Sequence, residues 1–249
     1  MFETPRREEI VPKVVREASR FSVVDKALQE RAEWMREEAK VLKYLRPKIE
    51  WKDPENITAG AEKGVDVLCI GAGKGHEMDE LDQVLPRSNI MGCDPHDHYT
   101  KPVKERLETL AHDSRYLPEN VTATNLEGVE NESLDAVTMF FVLHHMDEKE
   151  HDAAFAELRR VLKSDGYAFV AEDLVDNEDE RKVTEKIDRK LNLQLSEDLP
   201  HNYRNTERWE KFFEKHGMEV VEVNEVKPDK VRHGFFVLKK KLPEVEGAS

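Results

Sequence analysis

Eleven consecutive residues, Val65-Asp66-Val67-Leu68-Cys69-Ile70-Gly71-Ala72-Gly73-Lys74-Gly75, hold the densest chemical signal in the chain. An apolar, strand-like run breaks into alternating glycines, where the backbone can turn tightly and a ligand can reach main-chain N–H groups at a helix start without meeting a Cβ. Downstream, Gly92-Cys93-Asp94 sets an acid at the end of a second strand-like run. A carboxylate there is suited to holding the two hydroxyls of a ribose. The two signals together point to a nucleoside-containing cofactor. The spacing is G-x-G-x-G with His76 in sixth place, whereas dinucleotide folds use G-x-G-x-x-G, which argues against NAD.

A second set of residues could move protons or position a substrate. His144 and His145 follow the apolar run Leu134 to Val142, and His201 lies in His201-Asn202-Tyr203-Arg204. Histidine is the side chain best poised as a base near neutral pH. His145 and His201 are the catalytic or substrate-positioning candidates, and His144 reads more simply as packing at a strand end. Glu172-Asp173 closes another apolar run and reads either as substrate-facing or as a cap for the next segment. Asp94-Pro95-His96-Asp97-His98 has metal-binding atoms, but consecutive ligands on one short loop rarely converge. No metal is expected.

These residues need a scaffold of alternating strands and helices. Val65 to Ile70 and Asn89 to Cys93 read as strands, separated by a helix with Met78, Leu81, Val84 and Leu85 at helical spacing. A further helix is expected around Val103, Leu107 and Leu110, then strands at Val121 to Asn125 and Leu134 to Val142. Asp147 with Glu150 forms a capping-box signal for a helix that Asp165-Gly166 should end before the strand Tyr167 to Ala171. Val183, Ile187, Leu191 and Leu195 suggest an amphipathic helix inserted after that strand. Thr206 should cap a helix carrying Trp209, Phe212 and Phe213, terminated by Gly217. Met218 to Val226 and His233 to Lys239 are joined by so short a link that they must be antiparallel. The fold class expected is α/β: a doubly wound, mostly parallel seven-stranded sheet with a C-terminal antiparallel hairpin and an N-terminal helical arm. The expected organisation is an arm or lid over 1–64, a cofactor-binding domain over 65–241 with a helical insertion at 176–203, and an acidic tail over 242–249.

The 249 residues suit one substantial domain, and a net charge of −14 with 37% charged residues describes a heavily solvated surface. Phosphate-backbone binding needs clustered basic residues, and the one dense run, Lys239-Lys240-Lys241, reads as a solvated strand end. Nucleic acid is therefore an unexpected partner. No apolar stretch is long enough to span a bilayer and residues 1–6 lack a signal-peptide core, so a cytoplasmic protein without membrane contact, monomeric or homodimeric, is expected. Cys69 and Cys93, the two cysteines, fall in strands and read as reduced core residues.

This order of signals resembles the class I S-adenosylmethionine-dependent methyltransferases, in particular the small-molecule group that includes the ubiquinone and menaquinone biosynthesis methyltransferases. The likeness runs from Val65 to about Lys239. It rests on the glycine loop, Asp94, Ser133 to Val137 with Val142-Leu143-His144-His145, and Leu158-Arg159-Arg160-Val161-Leu162-Lys163-Ser164-Asp165-Gly166. The resemblance implies S-adenosylmethionine as cofactor. Gly71, Ala72, Gly73 and Gly75 would cradle its methionine part, and Asp94, followed by Pro95, its ribose. Asn125 and Leu126 would flank the adenine, and Phe140 and His145 would lie near the reacting methyl group. At Cys69 the family more often carries an acid that organises the loop and the cofactor's ammonium, a task for which Glu77 or Asp79 is the substitute on offer.

The implied activity is methyl transfer by direct displacement to a small, apolar or aromatic metabolite. The alternatives are a non-catalytic protein that has kept the fold, which Cys69 raises, and an RNA or protein methyltransferase.

Overall fold

The computed structural model describes residues 33–53, 60–96, 115–118, 120–192, 199–228 and 230–241. The expected helix around 103–110, residues 1–32 of the arm and the tail at 242–249 lie outside the described residues.

Strand β3 (Asp66–Ile70) is almost wholly apolar, and its burial on both faces makes it a central strand. It pairs in parallel with β4 (Asn89–Cys93), which sets Ile70 opposite Cys93, and with β6 (Leu134–Phe140), which sets Cys69 opposite Thr138. β5 (Arg115–Tyr116) and β7 (Leu162–Leu174) extend the sheet on either side. β9 (Arg232–Lys240) is inserted antiparallel between β7 and β8 (Met218–Val226), giving the order β5-β4-β3-β6-β7-β9-β8. The seven-stranded sheet and its closing hairpin are as expected. A separate antiparallel pair, β1 (Glu50–Trp51) with β2 (Ala61–Lys63), stands apart from it.

Each face of the sheet carries its own apolar layer. One packs Phe155 and Leu158 of a helix over Glu148–Val161 and Trp209 and Phe213 of a helix over Thr206–Lys215 against Val137, Val170 and Phe236. The other packs Met78 and Leu81 of a helix over His76–Val84, with Val41 and Leu45 of a short helix over Val41–Leu45, against Val67, Phe169 and Phe235. Each such side chain contributes about 1.5–3 kcal/mol by leaving water. In chain order these helices are α1 (Val41–Leu45), α2 (His76–Val84), α3 (Glu148–Val161), α4 (Glu178–Leu191) and α5 (Thr206–Lys215). The N-terminal segment is thus docked on the sheet, where Tyr44 packs on Tyr167 and donates to Glu222 Oε2 at 2.6 Å. Within it, helical residues 33–38 and α1 are separated at Lys40, whose φ of 55° no α-helix accommodates.

Four local expectations are corrected. Val121 to Asn125 is not a strand. The edge of β4 is taken by Arg115–Tyr116, so the segment folds on itself, with Thr122 N and Asn125 N each bonded to the other residue's carbonyl at 2.9 and 3.0 Å. Helix α3 has the expected capping box but stops at Val161, and Asp165-Gly166 lies within β7, because pairing with β6 already begins at Leu162. The cap of α5 is Asn205, whose side chain accepts from Arg208 N, with Thr206 as the first helical residue. In α4 the apolar stripe does not begin on the buried face. Val183 is 39% exposed, while Thr184 and Asp188 are buried. Among the described residues no helix is long and apolar enough to cross a membrane.

Candidate functional site

The glycine loop joins β3 to α2. Gly71 takes φ +71°, and a Cβ there would overlap the Val142 side chain, so this position requires glycine twice over. Gly71 N and Ala72 N both donate to Cys93 O, at 2.8 and 3.0 Å, which ties the loop to the end of β4. One residue on, Asp94 accepts from Gly73 N at 3.1 Å through Oδ2 and from His96 N at 2.9 Å through Oδ1. The loop and the acid therefore fix each other. Gly92, in β4, leaves room for Met78 of α2, whose sulfur a Cβ would strike. That close approach sets the N-terminus of α2 against the sheet.

Beside this loop Cys69 is fully buried, and Glu77, the second residue of α2, is only 8% exposed. Burial pushes the Glu77 carboxyl up to about 7, against the opposing pull of its neighbours Thr138 and Cys69. The Cys69 thiol is itself raised, first by burial and then by the Glu77 charge. Glu77 Oε1 is buried without a hydrogen-bond partner among the described residues. An acid absent from position 69 in the strand thus stands beside it on the adjoining helix.

A cavity of about 1000 Å³ opens at the carboxyl ends of β3, β4, β6 and β7. One side is made by the glycine loop, Glu77 and Asp94; the other by Trp34, Phe141, His145, Asp173, Asp188 and His233. Phe141 marks the end of β6 with φ +59°, which is unusual for a bulky residue. After it the chain turns inward. Val142 N and Leu143 N donate to Glu172 Oε1 at 3.1 and 2.7 Å, and His144 Nδ1 donates to Glu172 Oε2 at 2.6 Å. Asp188 reaches the same place from α4, with its oxygens 3.6 Å from His144 Nε2, 3.5 Å from His145 Nε2 and 3.5 Å from His201 Nδ1.

Burial alone would push the His144 pKa down, but the Glu172 charge and the contacts with Asp188 and Glu172 outweigh it and raise the pKa to about 10. Burial likewise opposes ionisation of Asp188, and the two histidines overcome it and hold that carboxyl well below its usual range. His201 is lowered, chiefly by burial. A second histidine–carboxylate pair stands apart from these. His233 Nδ1 donates to Asp173 Oδ1 at 2.6 Å, between the edges of Trp34 and Phe141 at ring distances of 5.5 and 5.3 Å. With Nδ1 committed as donor, the neutral ring presents Nε2 as an acceptor.

Of the residues singled out from sequence, Gly71, Ala72, Gly73, Asp94, Pro95, Phe140 and His145 line the cavity. Gly75 caps α2 behind the loop. Asn125 is exposed, with its amide on Asn120 O, and Leu126 is in the core; the cavity wall there is Thr122, Ala123 and Thr124. His201 meets Asp188 from outside the cavity lining. Sequence reasoning misses Asp188 and His233. Asp188 looks like any charge on an amphipathic helix, and His233 becomes visible only once β9 is registered against β7, where it sits opposite Asp173.

Residues 68–170 match the family profile described as a methyltransferase domain. An uncharacterized methyltransferase of Bacillus cytotoxicus is 26% identical over 160 residues, covering 62% of this chain and 70% of that protein. Among solved structures, the 1,6-didemethyltoxoflavin-N1-methyltransferase of Burkholderia thailandensis, with bound 1,6-didemethyltoxoflavin and S-adenosylhomocysteine, superposes with a TM-score of 0.59 at 15% identity. The match covers 96% of this chain and 92% of that one. An S-adenosylmethionine-dependent methyltransferase of Aquifex aeolicus gives a TM-score of 0.52 at 19% identity, covering 75% and 89%. The residues present fit that cofactor: the glycine cradle has no room for a Cβ at Gly71, and a buried carboxylate oxygen of Glu77 stands without a partner for an ammonium group. With this fold, this domain match and this loop, residues 68–170 form an S-adenosylmethionine-dependent methyltransferase domain.

Proposed function

We propose that the protein methylates a small, largely apolar or aromatic metabolite, with His233 as the base that takes the proton of the attacking group. When bound, S-adenosylmethionine supplies a methyl group on a positively charged sulfur, open to direct displacement. The residues on the loop side then bind and orient. Asp94 takes the ribose hydroxyls, Glu77 the ammonium group, the loop N–H groups the methionine portion, and Thr122 to Thr124 with Phe140 the region of the adenine.

The observation that carries the acceptor assignment is the His233–Asp173 pair, which shares a cavity with Asp94 and the glycine loop and is walled by Trp34 and Phe141. Asp173 holds the imidazole in the tautomer whose Nε2 accepts a proton and then stabilises the imidazolium. Alignment of nucleophile and methyl group contributes most of the acceleration of such a displacement, and a positioned base adds typically about 10²–10⁴-fold. His145 is assigned to substrate positioning on the same side of the cavity as His233, and His201 acts through Asp188.

The N-terminal segment lends Trp34 and Met35 to the cavity and the region after β7 lends Ile187 and Leu199. Both serve as covers over the acceptor in this reading. Carboxylates at Asp94, Glu77, Asp173 and Asp188 disfavour a polyanionic acceptor, which supports a metabolite over RNA. The test incubates protein and labelled S-adenosylmethionine with fractionated metabolite extract. A labelled small product that disappears in His233→Gln is expected; label confined to RNA or protein, or no turnover at all, sinks the proposal.

A further inference from the structure

The cavity ends on a group of side chains that take no proton in His233-assisted methyl transfer. His144 and His145 stand on the short 3-10 turn Leu143–His145, their rings 4.0 Å apart, and Asp188 faces them from α4. One ligating atom from each of the three lies within 4.8 Å of the others. The nitrogens stand 3.6 and 3.5 Å from Asp188 Oδ1. Those separations are too long for N–H···O hydrogen bonds, which close to about 2.7–3.2 Å. They suit a shared ion, since ligands about 2.0–2.2 Å from a tetrahedral centre stand roughly 3.3–3.6 Å apart.

The second observation concerns His144 itself. Its ring is fully buried, Nδ1 donates to the buried Glu172 at 2.6 Å, and Nε2 has no hydrogen-bond partner among the described residues. A carboxylate on one ring nitrogen fixes the tautomer that leaves the other nitrogen's lone pair for a metal, and raises its basicity. Two carboxylates, Glu172 and Asp188, surround this histidine and create a demand for positive charge. His145 and Asp188 also line the cavity, so an ion between them faces it.

We propose that His144, His145 and Asp188 bind one divalent transition-metal ion of the Zn²⁺ and Fe²⁺ class, with Glu172 as the outer carboxylate that orients His144. Two imidazoles with one carboxylate favour such ions over Mg²⁺ and Ca²⁺, which take oxygen ligands. The remaining coordination positions face the cavity, where an oxygen or nitrogen of an acceptor can occupy them.

The test uses full-length protein dialysed against chelator, without S-adenosylmethionine, so that its outcome is independent of methyl transfer. Co²⁺ is the spectroscopic probe, Zn²⁺ is titrated by calorimetry and Mg²⁺ is the competitor. One equivalent of Co²⁺ should give visible d–d absorption that Zn²⁺ abolishes and excess Mg²⁺ does not. Asp188→Asn and His145→Gln should each weaken Zn²⁺ binding by at least about tenfold, while Glu185→Gln, elsewhere on α4, should leave it unchanged. Circular dichroism checks the fold, and if Asp188→Asn does not fold, His145→Gln at the cavity wall decides. Absence of stoichiometric Co²⁺ and Zn²⁺ binding by the wild type, leaving a proton in the ion's place, overturns the proposal. So does undiminished binding by a folded variant.

Discussion

The two sides of the cavity are built on opposite plans. The loop side uses neighbours: residues 71–77 and Asp94, held by main-chain bonds from Gly71, Ala72 and Gly73. The far side uses side chains gathered from across the chain, with His145, Asp173, Asp188 and His233 delivered by four separate segments. A backbone-built site depends on the absence of side-chain atoms and tolerates few changes. A site assembled from side chains can lose one function at a time.

That contrast can be broken most sharply at His233. His233→Gln is expected to lower kcat by about 10²–10⁴-fold while leaving S-adenosylmethionine affinity unchanged, as read by initial rates beside calorimetry. A parallel loss of cofactor affinity would mean that the two sides are not separable. On the other side, Gly71→Ala should weaken cofactor binding by about a hundredfold, because the left-handed backbone and the Val142 contact both exclude a Cβ. Its fold should remain, as seen by circular dichroism.

Glu77 tests whether the acid supplied from α2 has taken over the role vacant at Cys69. Glu77→Gln should weaken S-adenosylmethionine binding about ten- to a hundredfold. A cation beside Glu77 favours its charged form, so a carboxyl that titrates at about 7 in the free protein must release a proton on binding near neutral pH. Calorimetry in buffers of different ionisation enthalpy reads that proton, and it should vanish in the variant. The same shift has a stability sign. The folded pKa lies above the ordinary 4.5, so the free protein loses stability as pH rises from about 4.5 through about 7.

The smallest effect belongs to the frame. Arg160 donates to the carbonyls of Leu126 and Val129 and to Glu157, whose carboxylate also accepts from Leu126 N. These bonds hold the turn that presents Thr122 to Thr124. Arg160→Ala should lower Tm by a few degrees, with a severalfold loss of cofactor affinity at most.

The same division explains what could be read from the sequence. The strands β3, β4, β6 and β7, the capping box of α3 and the closing hairpin arise from local apolar runs and turn chemistry. So do Gly71, Gly73 and Asp94 as cavity residues. The segment 121–125 misleads because the edge of β4 is taken by Arg115–Tyr116, and its own backbone bonds close within the turn. Asp188 escapes because periodicity on α4 marks Val183, whereas the structure buries Thr184 and Asp188 on a polar site. Only the sheet register, which sets His233 opposite Asp173, could reveal that pair.

Helix α4 comes after β7 as an addition to the strand–helix alternation, and yet it carries Asp188 and Ile187 into the cavity. A wall brought in by one continuous segment is transplantable. Exchanging residues 176–203 between proteins of this fold would replace the wall that carries Ile187 and Asp188 in a single step, while the sheet, the glycine loop and the His233–Asp173 pair stay intact. Such an exchange alters one wall of the cavity with no need to redesign the core.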